Sequence, residues 1–86
     1  MNWAQQQRQE YIYTALYARG YINREHIMAA FGVSTPTASK DLKVFLASKD
    51  AVELGVQYSH QWHCYTTATQ RFKDNLRANA GTGASE

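Results

Sequence analysis

The chain has few of the features that hold a small protein together from outside its own core. Of its 86 residues, one is cysteine and one is proline. A lone cysteine excludes an intramolecular disulfide framework and a cysteine-only zinc site, and it fits a reducing compartment. No apolar run approaches the roughly 20 residues that cross a bilayer. The segment Met1 to Arg8 is polar and has no apolar signal core, so export is not expected. Charge of either sign is scarce: nine Lys and Arg against seven Asp and Glu leave +2. That balance permits a polyanionic partner without demanding one. Also missing are a phosphate-binding glycine loop, an HExxH motif, a nucleophile elbow and a carboxylate pair suited to acid–base work. The chain is too short for a large multi-part active site, so a binding module is expected rather than an enzyme.

What is present points to one folded domain. Hydrophobic residues make up 44% and aromatics 13%, enough for a core in a chain near the lower limit of independent folding. No repeat is visible at a period of about 20–50 residues. Composition shifts at Gly81-Thr82-Gly83-Ala84-Ser85-Glu86. The domain is therefore read as residues 1–80, with 81–86 a flexible tail or linker.

Polar caps and glycines divide the domain. Asn2, with Gln5 three residues on, predicts a capping box opening a helix from Trp3 to about Arg19, ended by Gly20. Ile12, Ala15 and Leu16 share one face of it, joined by the aliphatic stems of Arg8 and Arg19. Asn23 caps a short helix, Arg24 to Phe31, with Ile22 and Ile27 as a hydrophobic staple and Gly32 as the stop. Ser34 caps a third helix, whose first turn accepts Pro36. Ala38, Leu42, Phe45 and Leu46 form its apolar face, and Pro36, Lys40, Lys43 and Ala47 the opposite one.

From Val52 to Thr66 the period changes to two, which predicts a hairpin. Val52, Leu54, Val56 and Tyr58 point inward, Trp62 and Cys64 return to meet them, Ser59-His60-Gln61 turns, and Gly55 marks a bulge or bend. Thr67 with Gln70 opens a last helix to about Asn79, whose apolar stripe (Ala68, Phe72, Leu76, Ala80) is narrow. The fold class is mainly α (α+β): a winged helix-turn-helix with a three-helix core, a β-hairpin wing and a C-terminal helix.

The segment Ile22 to Leu46 carries Phe31-Gly32-Val33-Ser34, then Thr37-Ala38, then Asp41-Leu42. In these it resembles the winged helix-turn-helix of DeoR-type bacterial repressors. It is also similar to the N-terminal domain of WYL-domain regulators, including those that control phage-defence genes. With the wing counted, the likeness covers roughly the first 66 residues. It implies sequence-specific duplex DNA binding by a bacterial or phage transcriptional regulator acting as a repressor in the cytoplasm, at the nucleoid. Where such families often carry arginines early in the recognition helix, this chain has Thr35, Pro36, Ser39 and Lys40.

The candidate DNA-binding residues follow from a helix lying in the major groove. Ser34, Thr35, Thr37 and Ser39 offer hydroxyls to phosphate, and Pro36 lies beside them. Lys40 and Lys43 reach phosphate or guanine O6/N7. Arg24, at the start of the second helix, is either a backbone contact or an ordinary exposed arginine. Asp41 is expected to hold Arg19, Arg24 or a backbone group. The wing has Gln57, His60, Gln61 and His63 and no Lys or Arg. It is either a structural lid or a minor-groove reader through His60 and Gln61. No metal or cofactor is expected, since His60 and His63 face opposite ways in a strand and no fourth ligand is near. Cys64 is read as a small core residue. Tyr11, Tyr13, Tyr17 and Tyr21 crowd the first helix and its exit, which reads either as packing or as an interface. A homodimer through Tyr13, Tyr17, Phe72 and Leu76 is the expected assembly. The alternative is a winged-helix protein–protein module that does not bind DNA.

Overall fold

Polar caps set the helix starts. The computed structural model describes residues 2–84, with side chains through Arg77. Its elements are α1 (Trp3–Arg19), β1 (Tyr21–Ile22), α2 (Arg24–Phe31), α3 (Thr35–Leu46), α4 (Lys49–Leu54), β2 (Gln57–Ser59), β3 (Cys64–Thr66) and α5 (Ala68–Ala84). The amide of Gln5 donates to Asn2 Oδ1 at 2.8 Å, and Gly20 closes α1 at φ 89°. The return half of the expected box, from Gln5 to the Asn2 amide, is not made among the described residues. At α2 both halves exist, and the partner at the third helical position is His26. Asn23 Oδ1 accepts from the His26 amide, and His26 Nδ1 accepts from the Asn23 amide, both at 3.1 Å. The staple forms as its spacing predicts, with Ile22 and Ile27 fully buried.

The core lies between α1, α2 and α3. Ile12 and Leu16 of α1 meet Ile27 of α2 and Ala38, Leu42 and Phe45 of α3. Each Ile, Leu or Phe side chain buried in this way contributes about 1.5–3 kcal/mol. The same inward face of α3 carries a charge. Asp41 is 1% exposed, and Arg8 Nε donates to its Oδ2 at 2.5 Å. Gln9 Nε2 donates to the Asp41 main-chain carbonyl at 2.8 Å. The partner is thus Arg8, not Arg19 or Arg24. Arg19 instead lies over the Tyr21 ring, 4.7 Å from its centroid.

The segment after α3 departs from the period-two reading. Residues 49–54 are helical, not extended. The Ala51 amide donates to the Ser48 side chain, and Gly55 at φ 63° is the helix stop rather than a bulge. Val52 is 77% exposed, so the alternation that placed it inside is coincidental. Ala51 is the buried member of this turn, and Leu54 and Val56 pack partly against the core. The hairpin is shorter than expected. Tyr58 pairs with Tyr65 and Ser59 with Cys64 across β2 and β3, and β3 also pairs antiparallel with β1 through Tyr21–Thr66 and Ile22–Tyr65. The sheet order is β1-β3-β2. Cys64 is buried as expected, whereas Trp62 is 60% exposed and belongs to the turn at 60–63.

Two glycines let α5 seat closely. A Cβ on Gly20 would stand 2.7 Å from Gln70 Oε1, and one on Gly55 would stand 2.9 Å from Ala68 Cβ. Thr67 Oγ1 accepts from the Gln70 amide, and the Thr67 amide donates to the Gly20 carbonyl. Arg71 then reaches back, donating from Nη1 to Thr66 O at 2.7 Å and from Nη2 to Gly55 O at 2.6 Å. The helix continues past Asn79 to Ala84, into the segment read as a tail; Ser85 and Glu86, and the Ala80 side chain, lie outside the described structure.

Two outcomes follow from the buried polar groups. Asp41→Ala strands the Arg8 guanidinium and should cost about 3–5 kcal/mol in urea unfolding, whereas replacing both partners (Arg8→Met with Asp41→Leu) should recover most of that loss. His26 must be neutral at Nδ1 to accept its bond. Burial, and next the Arg19 charge, hold its pKa below the ordinary 6.5, against an opposing pull from Glu25. The unfolded chain therefore binds this proton more readily. The stability it contributes is full above pH about 6.5 and is lost as pH falls below that toward the folded-state value. His26→Gln preserves the box chemistry without a titrating group. The urea midpoint of the variant should fall less steeply than that of the parent as pH is lowered from about 7 to about 5.5.

Candidate nucleic-acid interface

The third helix divides its residues by face. Ala38, Asp41, Leu42 and Phe45 are buried, while Pro36, Lys40 and Lys43 are exposed on the outside. The helix has one carboxylate, Asp41, and it is turned inward onto Arg8. Its outer face is therefore free of negative charge. Neither lysine is held in an ion pair among the described residues.

The first turn is arranged differently from the cap reading. Ser34 takes the extended backbone of a cap residue, but its hydroxyl makes no bond to the helix amides. It donates to Thr37 Oγ1 at 3.1 Å. The Thr35 hydroxyl turns back to Met28 Sδ at 3.5 Å, a weak contact. The hydroxyls of Ser34 and Thr35 are thus engaged within the motif, and the amides of the first turn carry no side-chain cap.

Arg24 stands at the start of α2, with Nε 3.7 Å from Glu25 Oε1, and both side chains are well exposed. Such a solvated pair is worth about 0–1 kcal/mol, so Glu25 holds Arg24 only loosely. Arg24 and Ser39 come together on one groove of about 540 Å³, which runs between α2, α3 and the wing. Asn23, Glu25 and His63 line it too, with Leu42, Tyr58, Trp62 and Tyr65 as its apolar and aromatic walls. Local sequence patterns did not point to this groove, because it depends on β3 pairing with both β1 and β2.

The wing places His60 and Gln61 in an exposed turn. The His60 ring meets Tyr58 edge to face with centroids 5.0 Å apart, and Tyr58 meets Tyr65 in the same way at 5.1 Å. Behind the wing, Cys64 borders a cavity with Tyr21, His26, Asp74 and Arg77, and Trp62, at the tip of the wing, borders both this cavity and the groove. Burial, and then the Asp74 carboxylate, push the Cys64 thiol pKa up. Little thiolate forms, which suits a packed residue rather than a nucleophile.

The four candidate interface residues are all exposed. Tyr13 and Tyr17 stack in near-parallel planes with centroids 6.0 Å apart. Tyr17 borders a shallow cavity shared with Thr69 and Lys73 of α5. Phe72 is 63% exposed and Leu76 53%, so these two members of the narrow stripe are left uncovered among the described residues. What fixes the start of α5 is polar: Arg71, Gln70 and Thr67.

Comparison with known proteins agrees with this geometry. No curated protein matches the chain. A family model described as the BrxR transcriptional regulator winged helix-turn-helix domain matches residues 4–80. That span covers the three core helices, the sheet and the anchored part of α5. The family is one of regulator domains and not an enzyme class, and it supports a regulatory DNA-binding role. By its wing, its turn between α2 and α3 and this match over nearly its whole length, the chain belongs to the BrxR family of transcriptional-regulator winged helix-turn-helix domains.

Proposed function

We propose that the domain binds duplex DNA sequence-specifically, with α3 in the major groove, as one half of a symmetric dimer that represses transcription by occupying an operator. The outer face of α3 carries the proposal: Lys40 and Lys43 are exposed there, and the only carboxylate of the helix is buried on the opposite side. Lys40 and Lys43 take phosphate or guanine O6/N7. Pro36, Thr37 and Ser39 line the approach to the bases, and the uncapped first turn with Ser34 and Thr35 approaches the backbone. Arg24 contacts phosphate from the start of α2. His60 and Gln61 reach toward the adjacent minor groove.

A dimer answers the weak charge of one subunit. A domain of net charge +2 neutralises few phosphates, and two copies on one duplex double that number. Tyr13, Tyr17, Phe72 and Leu76 supply apolar surface for the pairing. The same exposed surface favours the second reading, a protein-interaction module without DNA binding. A cytoplasmic site at the nucleoid follows from the first reading.

Fluorescence anisotropy against a pool of random duplexes separates the two. The domain should bind, and binding should weaken as salt is raised. In Lys40→Ala/Lys43→Ala the slope of log K against log salt should become shallower by about 0.9 for each phosphate that is no longer neutralised. Sequences selected from the bound fraction should be inverted repeats, with half-sites spaced by about 10–10.5 base pairs or a multiple. A folded protein that binds no duplex at low salt sinks this reading and favours the protein module.

A further inference from the structure

The wing from Gln57 to Thr66 has no Lys or Arg, yet its turn exposes the largest side chain available to it. Trp62 is 60% exposed. Exposure of an indole is unfavourable in water, and the turn holds it there by specific means. The Trp62 amide donates to Ser59 Oγ at 3.3 Å. The next residue, His63, adopts φ 54°, the one left-handed non-glycine backbone among the described residues. Such a conformation persists only where its surroundings impose it. The result sets Trp62 on the wall of the groove that also holds Arg24 and Ser39, with Tyr58 and Tyr65 lining it further.

We propose that Trp62 is a further DNA contact of the wing, beside His60 and Gln61. Its ring packs against the deoxyribose edge of the strand whose phosphates meet Arg24, and its Nε1–H donates to a phosphate or groove acceptor. This rests on the DNA-binding reading above. Two features select duplex DNA as the occupant. The groove is continuous with the outer face of α3 through Ser39, and Arg24 on the same groove complements a phosphate, its only carboxylate neighbour there, among the described residues, being the loosely held, solvent-exposed Glu25. An aromatic side chain that is apolar in body and polar at one edge suits a sugar–phosphate wall, which offers apolar carbon beside acceptors. The contact releases no counterion. It therefore differs in kind from those of Lys40 and Lys43: it adds affinity without steepening the salt dependence.

The test uses the emission of Trp62 itself. The chain has two tryptophans, and Trp3 lies exposed at the start of α1, so Trp3→Phe leaves Trp62 as the sole indole. Titrated with a duplex selected as above, Trp62 emission should be quenched or shifted in proportion to the anisotropy signal. Trp62→Ala should weaken binding about ten-fold or more, as removal of a well-packed aromatic side chain does, with the slope of log K against log salt unchanged. Trp62→Phe should restore part of the affinity. Circular dichroism melts of both variants should match the parent, since the side chain is exposed. The proposal is overturned if Trp62→Ala binds at full affinity and Trp62 emission in the saturated complex equals that of the free protein. It is equally overturned if the weakening comes with a shallower salt slope, which would make Trp62 a prop for basic residues. Absence of any duplex binding by the parent removes the DNA-binding reading itself, an outcome distinct from the other two.

Discussion

A buried ion pair fixes how α3 lies. Arg8 of α1 and Asp41 of α3 meet across the same two helices whose Ile12, Leu16, Leu42 and Phe45 build the apolar core. Apolar contacts alone are tolerant of sliding and rotation, because one aliphatic neighbour serves nearly as well as another. A carboxylate away from water has far fewer acceptable positions. With Gln9 bonded to the carbonyl of the same residue, α3 is pinned to α1 in both rotation and height. The outward direction of Lys40 and Lys43 is the other side of that constraint. Turning α3 by one residue would bring a lysine toward the core and expose Asp41 on the outer face.

The local grammar of the sequence carries most of the helical architecture. Asn2, Asn23 and Thr67 announce helix starts because a cap needs only a side chain and an amide three residues later. Gly20 and Gly32 announce stops because the left-handed position suits glycine. Residues 49–54 mislead for an equally local reason. Val52, Leu54 and Val56 alternate like a strand, and six residues are too few for a helical period to show. Ser48 ahead of them and Gly55 behind them are the better signals, being a cap and a stop around a single turn and a half.

The rest depends on contacts between distant positions. Arg8 and Asp41 are 33 residues apart, and nothing near either one names the other. The two residues of β1 have no period of their own, and they form a strand only because Thr66 and Tyr65 lie alongside. Likewise Arg24, Ser39 and Trp62 become one groove only after the sheet has closed. The candidate site is thus half legible. The residues of α3 are visible as a face of a helix, while the placing of the wing beside them is a property of the fold.

Arg71 joins three pieces of chain through one planar group. Its guanidinium holds the carbonyl at the end of α4 and the carbonyl at the end of β3, while its own backbone belongs to α5. Gly20 and Gly55 remove the bulk that would keep α5 away from this seat. Beyond the seat Phe72 and Leu76 face solvent, so no apolar anchor follows among the described side chains. Mechanically this is a lever with its fulcrum at the root of the wing. A force applied along α5 arrives both at β3, through Arg71, and at the end of α1, through the bond from the Thr67 amide to the Gly20 carbonyl.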